Sequence, residues 1–317
     1  MNKKKLIINS TFSFFIAFIC LYIFYNNSKG NINFNILLND ILQNWYFLIL
    51  AISLLNISVY FRAIRWQHLI NDNISIKDLY SAQLVGYFIN NILPIRIGDI
   101  FKSYSITKKY KKNIGYIIGS VITERIIDTL TLILIFIIFI YSYSYQSLIK
   151  FNFQLIFGAT IIFISILFLF KRYLHKYLPR FLQLFLIEIV RGIKSINPSK
   201  YKSTLILSFL IWSIYLLNIY LIQMIFPSLN LSIFECTLIL VSSSFIQMIP
   251  SGFGALGLFQ IGAESVLIQL GFTNYQNFLI LLWAYSYFSY TTVGAYHFIK
   301  DNSFNIRKIL DVIKKLY

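Results

Sequence analysis

Three stretches of this chain combine residues whose types and spacing could do chemistry. The first is Asn90-Asn91-Ile92-Leu93-Pro94-Ile95-Arg96-Ile97-Gly98-Asp99. It sets two amides, a helix-ending proline, an arginine and an aspartate beside an apolar run. An arginine there can hold a lipid phosphate through its forked donors; the plainer alternative is a turn with a membrane-flanking arginine. The second stretch is Glu124-Arg125-Ile126-Ile127-Asp128, a turn or two into a long apolar segment. Glu124 and Asp128 share a helix face, and Arg125 and Asp128 are spaced to pair. Charges inside a span are costly, so they face a bundle interior and pair or serve function. This cluster reads equally as a structural ion pair, a proton relay or the partner of Arg96.

The third stretch, Pro250-Ser251-Gly252-Phe253-Gly254-Ala255-Leu256-Gly257, contains the pattern G-x-G-x-x-G. Dinucleotide binding requires a preceding strand and an acidic residue about 20 positions further on. No Asp or Glu occurs between Glu264 and Asp301, so the nucleotide reading fails. Glycines here suit a tight turn that offers N–H groups and a helix N-terminus to an anion, or close helix packing. Lesser candidates are Arg62 and Arg65, placed on one helix face at headgroup level with Trp66 as an interfacial anchor; a snorkelling boundary is the simpler account. Cys20 and Cys236 lie in apolar segments, and His68, His175 and His297 are far apart. No metal site, cofactor or catalytic motif is expected from them.

The elements that position these residues follow from composition. Apolar residues make up 58% of the 317 positions and charged residues 12%, far from the roughly one-quarter charged of a soluble domain. Apolar runs at 6–25, 45–61, 115–141, 153–170, 203–226 and 277–299 have about the length that crosses a hydrocarbon core. The first run is longer than a signal-peptide core and lacks a small-residue cleavage site, so it reads as a retained span. Two further stretches, 79–93 and 233–270, are short or broken by Pro94, Pro250 and the glycines. They read as re-entrant or broken helices, tolerated where protein or a wet cavity satisfies the backbone.

Charge orients the chain. Lys and Arg number 28 against 11 Asp and Glu, a net charge of +17. Because the basic residues fall between apolar runs, they point to a membrane surface and exclude nucleic acid as partner. With the N-terminus cytoplasmic and the broken stretches re-entering, 25 of the 28 Lys and Arg fall in the cytoplasmic segments 1–5, 62–112, 171–202 and 300–317. The expected fold is an all-α integral membrane domain over 1–317. It has about six full transmembrane helices plus two re-entrant or broken units, and both termini are cytoplasmic. Its halves, 1–150 and 151–317, then have opposite orientation, the inverted-repeat layout of many transporters. Segments 171–202 and 307–317 read as amphipathic helices on the cytoplasmic leaflet. No segment between spans is long enough for a soluble catalytic domain.

Taken together, these motifs resemble the lysylphosphatidylglycerol synthase transmembrane-region family, also called the flippase-like domain family. The matching pieces are Arg62–x–x–Arg65–Trp66, Asn91–x–x–Pro94–x–Arg96–x–Gly98–Asp99, Glu124-Arg125–x–x–Asp128 and Pro250–x–Gly252–x–Gly254–x–x–Gly257. The family's late motif usually continues to a Glu where this chain has Gln260, with Glu264 one turn on. The resemblance implies a bacterial or archaeal cell-membrane protein that handles lipids, a stand-alone member without the synthase domain and so without aminoacyl transfer. It implies an anionic phospholipid or polyprenyl-linked glycolipid of the cell envelope as cargo. The expected function is a lipid translocator, with Arg62, Arg65 and Arg96 gathering a headgroup. Asn91, Pro94, Asp99, Gly252, Gly254 and Gly257 would line its path. The rival is a non-catalytic accessory subunit of an envelope glycosyltransferase or lipid-modifying enzyme.

Overall fold

The computed structural model describes residues 18–19, 21–26, 32–70, 72–93, 97–142, 180–247 and 253–300. Most of the expected span 6–25, the expected span 153–170 and the tail 307–317 lie outside the described residues, as do Pro94, Arg96, Pro250 and Gly252. Within the described set every regular element is helical. The main helices are α1 (Phe34–Gln43), α2 (Trp45–Ile70), α3 (Ile76–Ile92), α4 (Gly98–Tyr110), α5 (Ile114–Ser142), α6 (Arg180–Ile193), α7 (Tyr201–Gln223), α8 (Ile233–Ile246), α9 (Leu258–Gln269) and α10 (Gln276–Lys300). The order long helix, helix pair, long helix occurs twice, as α2, α3–α4, α5 and as α7, α8–α9, α10.

Local chemistry sets the helix ends. Asn33 caps α1, its Oδ1 accepting from the N–H groups of Asn35 at 3.0 Å and Ile36 at 3.2 Å. Ser232 and Glu235 form a reciprocal capping box at the start of α8, which satisfies two orphan donors. Helix α3 ends at Leu93, whose extended backbone is what a following proline favours. The chain then restarts as α4, and the first N–H of that helix, on Gly98, donates to Asn90 Oδ1 at 2.7 Å. A side chain from the last turn of α3 thus satisfies an N–H that has no partner within the new helix. Pair α3–α4 crosses closely: a Cβ at Gly98 would stand 2.0 Å from Gly86 O. In the second pair the connection turns through Gly254 at φ 58°, a left-handed conformation that glycine adopts without a Cβ penalty.

Two apolar cores hold these elements. One joins α2, α7, α8, α9 and α10 through residues such as Leu55, Ile222, Ile239, Leu267 and Phe278. The other joins α2 to α5 through Trp66, Leu69, Leu79, Ile106 and Ile117. Large apolar side chains also cover the outside, among them Ile49, Ile57, Leu130, Leu134, Ile137, Leu205 and Leu217, as suits a surface against acyl chains rather than water. Two described helical stretches, Trp45–Ile70 and Pro198–Gln223, are long and apolar enough to cross a bilayer. Within 171–202, expected to rest on the leaflet, α6 docks one face on α5, where Gly192 meets Gly119 and Tyr116. Leu184 and Ile187 remain exposed on its other side.

Candidate functional site

Helix α5 carries its carboxylates into a buried ion network. Glu124 accepts from Arg62 Nη1 at 3.1 Å, Arg65 Nη2 at 3.4 Å and Lys102 Nζ at 2.7 Å. Gln83 Nε2 also donates to Glu124, at 3.2 Å to Oε1. One turn on, Asp128 pairs with Arg62 at 2.9 Å and with Arg65 at 2.8 Å. Arg62 is further held by Tyr215 and Arg65 by Ser208, both from α7. Helices α2, α3 and α4 therefore converge on two carboxylates of α5, and α7 closes the side. Such density of partners is what makes buried charge tolerable.

Arg125 and Asp99 extend the network toward a cavity. Arg125 grips Asp99 in a two-pronged pair, with Nη2 2.9 Å from Oδ1 and Nε 3.3 Å from Oδ2. Lys102 stands 3.8 Å from the same carboxylate. Among the described residues, the linked set counts four cations (Arg62, Arg65, Lys102, Arg125) against three carboxylates (Asp99, Glu124, Asp128). Arg125 is the outlying cation, with its side chain 43% exposed. It borders a polar cavity of about 250 Å³ formed with Tyr87, Asn90 and Asn91 of α3, Ser244 and Gln247 of α8, Gly254, and Ser286, Tyr287 and Tyr290 of α10.

The two broken segments meet at this cavity. Asn91 Nδ2 donates to Tyr287 O at 3.2 Å and to Thr291 Oγ1 at 2.9 Å, tying α3 to α10. A Cβ at Gly254 would stand 3.0 Å from Asn91 Oδ1 and 2.7 Å from the Tyr287 ring. Trp283 Nε1 donates to Gly254 O at 3.0 Å, which fixes the turn from its other side. Any side chain at Gly254 would displace Asn91 or Tyr287.

Several placements differ from what the sequence suggested. Arg62 and Arg65 are buried rather than spread at headgroup level, because the α5 carboxylates supply partners inside the bundle. Trp66 is not at an interface: it is fully buried, donates to Ser120 and has Lys102 Nζ 4.8 Å from its ring. Arg125 does reach Asp128, at 3.9 Å, as their spacing suggested, but its shorter pairing is with Asp99 at 2.9 Å. The Gly257 N–H is not open to an anion; Gln260 Oε1 accepts it at 2.7 Å. Glu264 is likewise engaged, accepting from Tyr275 at 3.1 Å. Pro94, Arg96 and Gly252 lie outside the described residues.

Sequence reasoning missed Lys102 and Gln83, which complete the shell around Glu124. By sequence Lys102 falls in the basic segment 62–112 and looks like the lysines that follow it. Its signal was the spacing Asp99–x–x–Lys102, which puts both on one face of α4. Gln83 lies among Leu79, Ala82 and Gly86 on a face otherwise built for packing, where a lone amide marks a buried partner.

The family model of the lysylphosphatidylglycerol synthase TM region matches residues 10–294, which includes the whole ordered set of motifs. The chain belongs to that family. A UPF0104 membrane protein of Methanocaldococcus jannaschii is 27% identical over 219 residues, covering 67% of this chain and 93% of that protein. No solved structure matches. This lysylphosphatidylglycerol synthase transmembrane-region protein is therefore a membrane protein with a lipid-related setting. Its Gln260, a neutral amide where the family motif leads to expect a carboxylate, caps the turn at Gly257.

Proposed function

We propose that this protein translocates lipids across the cell membrane without ATP, and that it takes an anionic phospholipid or polyprenyl-linked glycolipid of the cell envelope. The observation that carries this reading is the excess of one cation in the linked set, with Arg125 facing the polar cavity between the two helix pairs. The excess belongs to the linked set as a whole, since Asp99 already pairs with Arg125, and an anion arriving at Arg125, the most exposed cation of the set, offsets it. Amides and hydroxyls around the cavity give such a headgroup polar partners at a depth where lipid offers none. The paired elements α3–α4 and α8–α9 then act as the broken helices of two inverted halves in a multi-pass domain with cytoplasmic termini.

The test is movement of fluorescent phosphatidylglycerol and of a polyprenyl-phosphate glycolipid by purified protein in liposomes, with and without a proton gradient. Movement that is lost in Arg125→Ala supports the reading; no movement by folded protein under any gradient sinks it.

A second reading is favoured by the thoroughness of the pairing around Glu124, which a purely structural clamp would also show. On that reading the protein is a non-catalytic subunit of an envelope glycosyltransferase or lipid-modifying enzyme. Co-purification of one such enzyme, with its activity lost on deletion of this protein, would favour it.

A further inference from the structure

Among the described residues, the wall of the Arg125 cavity contains a single formal charge, that of Arg125 itself; the other described lining residues are Tyr, Asn, Ser, Gln, Gly and Ala. The nearest carboxylates are already committed. Asp99 is gripped by Arg125, and Glu124 and Asp128 are held by Arg62, Arg65 and Lys102. An ammonium entering this space would meet Arg125 with no free carboxylate to balance it, a like-charge juxtaposition that costs binding energy. Aromatic faces offer little compensation. Tyr87 and Tyr290 stack on each other with centroids 4.5 Å apart, and Trp283 and Tyr287 stack at 4.6 Å. Each ring therefore has one face covered and less surface left for a cation.

Neutral hydroxyl-bearing groups find the opposite situation. Asn and Gln amides and Ser hydroxyls both donate and accept, so they match alcohols, which do the same. The volume of about 250 Å³ equals roughly eight waters at ~30 Å³ each, room for a phosphate with a short polyol or one sugar ring. We infer that this cavity takes a phosphate-linked headgroup whose far side is a neutral polyol or sugar, and that it rejects headgroups ending in an amine. Arg125 holds the phosphate, and Asn90, Ser244, Gln247 and Ser286 hold the hydroxyls. This rests on the reading of the cavity as a headgroup site but not on transport.

The experiment measures stabilisation of the purified full chain in detergent by short-chain lipids. Dihexanoyl phosphatidylglycerol and phosphatidylserine carry equal net charge, and only the latter bears an ammonium. Phosphatidylglycerol and a short-chain polyprenyl-phosphate sugar are expected to bind about tenfold more tightly than phosphatidylserine or phosphatidylethanolamine, the lower end of what a hydrogen bond to a charged group is worth. Gln247→Glu, which adds a carboxylate without changing size, is expected to narrow that gap by about the same factor. Equal or tighter binding of the amine lipids to wild type overturns the inference, as does a Gln247→Glu variant that leaves the preference unchanged while remaining folded. Glycerol phosphate alone binding as well as phosphatidylglycerol leaves the headgroup chemistry standing and overturns the lipid source. Selective binding without movement in liposomes sinks the translocator and keeps this inference; equal movement of phosphatidylglycerol and phosphatidylethanolamine does the reverse.

Discussion

Lys102 Nζ and Glu124 Oε2 lie 2.7 Å apart, with both side chains only 1% exposed. The pair ties the first helix after the α3 break to the long α5 helix. Around it, Arg62, Arg65 and Gln83 crowd the same carboxylate. Glu124 is thus the common counter-ion of three cations, and the network's electrostatics depend on it more than on any single base.

Removing that counter-ion is expected to be costly and asymmetric. Glu124→Gln leaves three buried cations short of charge, which should cost about 3–5 kcal/mol of stability. Lys102→Met keeps two arginines on Glu124 and removes the surplus positive charge, so its cost should be clearly smaller. Denaturant unfolding in detergent reads both. Equal losses for the two variants would show that charge balance is not what organises this core.

Asp99 competes with any anion for Arg125. Asp99→Asn should release the two-pronged pair and tighten binding of phosphatidylglycerol by about tenfold, or ~1.4 kcal/mol. The side chain is partly exposed, so the fold should tolerate the amide. Lipid titration followed by thermal stabilisation is the measurement. Weaker binding in Asp99→Asn would mean that Asp99 orients Arg125 rather than competing for it.

The α3–α4 crossing leaves no room at Gly98, where an added Cβ would fall 2.0 Å from Gly86 O and 2.6 Å from Asn90 Oδ1. Gly98→Ala should push the pair apart, break the Asn90 bond to the α4 N-terminus and cost about 1–3 kcal/mol, the range of overpacking. Limited proteolysis should then cut near the break faster than in wild type. An unchanged cleavage rate and stability would mean that the pair is looser than this geometry.

Acid should weaken the end of the same helix pair that lies away from the break. Asp78, ahead of the apolar part of α3, receives hydrogen bonds from Lys109 Nζ and Tyr110 OH, both at 2.6 Å. Burial pushes its carboxyl up, but these two bonds and the Lys109 charge outweigh that and hold it below the ordinary range. A carboxyl lowered on folding adds stability above its unfolded value near pH 4, and the gain is lost as pH falls through the lower folded value. Unfolding midpoints should therefore drop more steeply below about pH 4 in wild type than in Asp78→Asn. Identical slopes would remove Asp78 from the account.

Much of this protein follows from the sequence by itself. Apolar runs specify helices in a membrane, since nothing but burial in lipid or protein suits them. Pro94 and the glycines near 254 mark the two breaks. Spacing along one helix also put Glu124 and Asp128 on a shared face. All of these signals are local, reaching only a turn or two along the chain.

Partners across helices are another matter. Arg62 meets Asp128 across 66 positions, Lys102 meets Glu124 across 22, and Asn91 meets Thr291 across 200. An arginine near the end of an apolar run looks the same whether it snorkels to a headgroup or turns inward to a carboxylate. The choice depends on which helix packs beside it, and only the tertiary structure decided that. The same holds for the cavity: amides and hydroxyls from α3, α8 and α10 face one space because α3 packs against α10 and the turn at Gly254, a fact that no local spacing encodes.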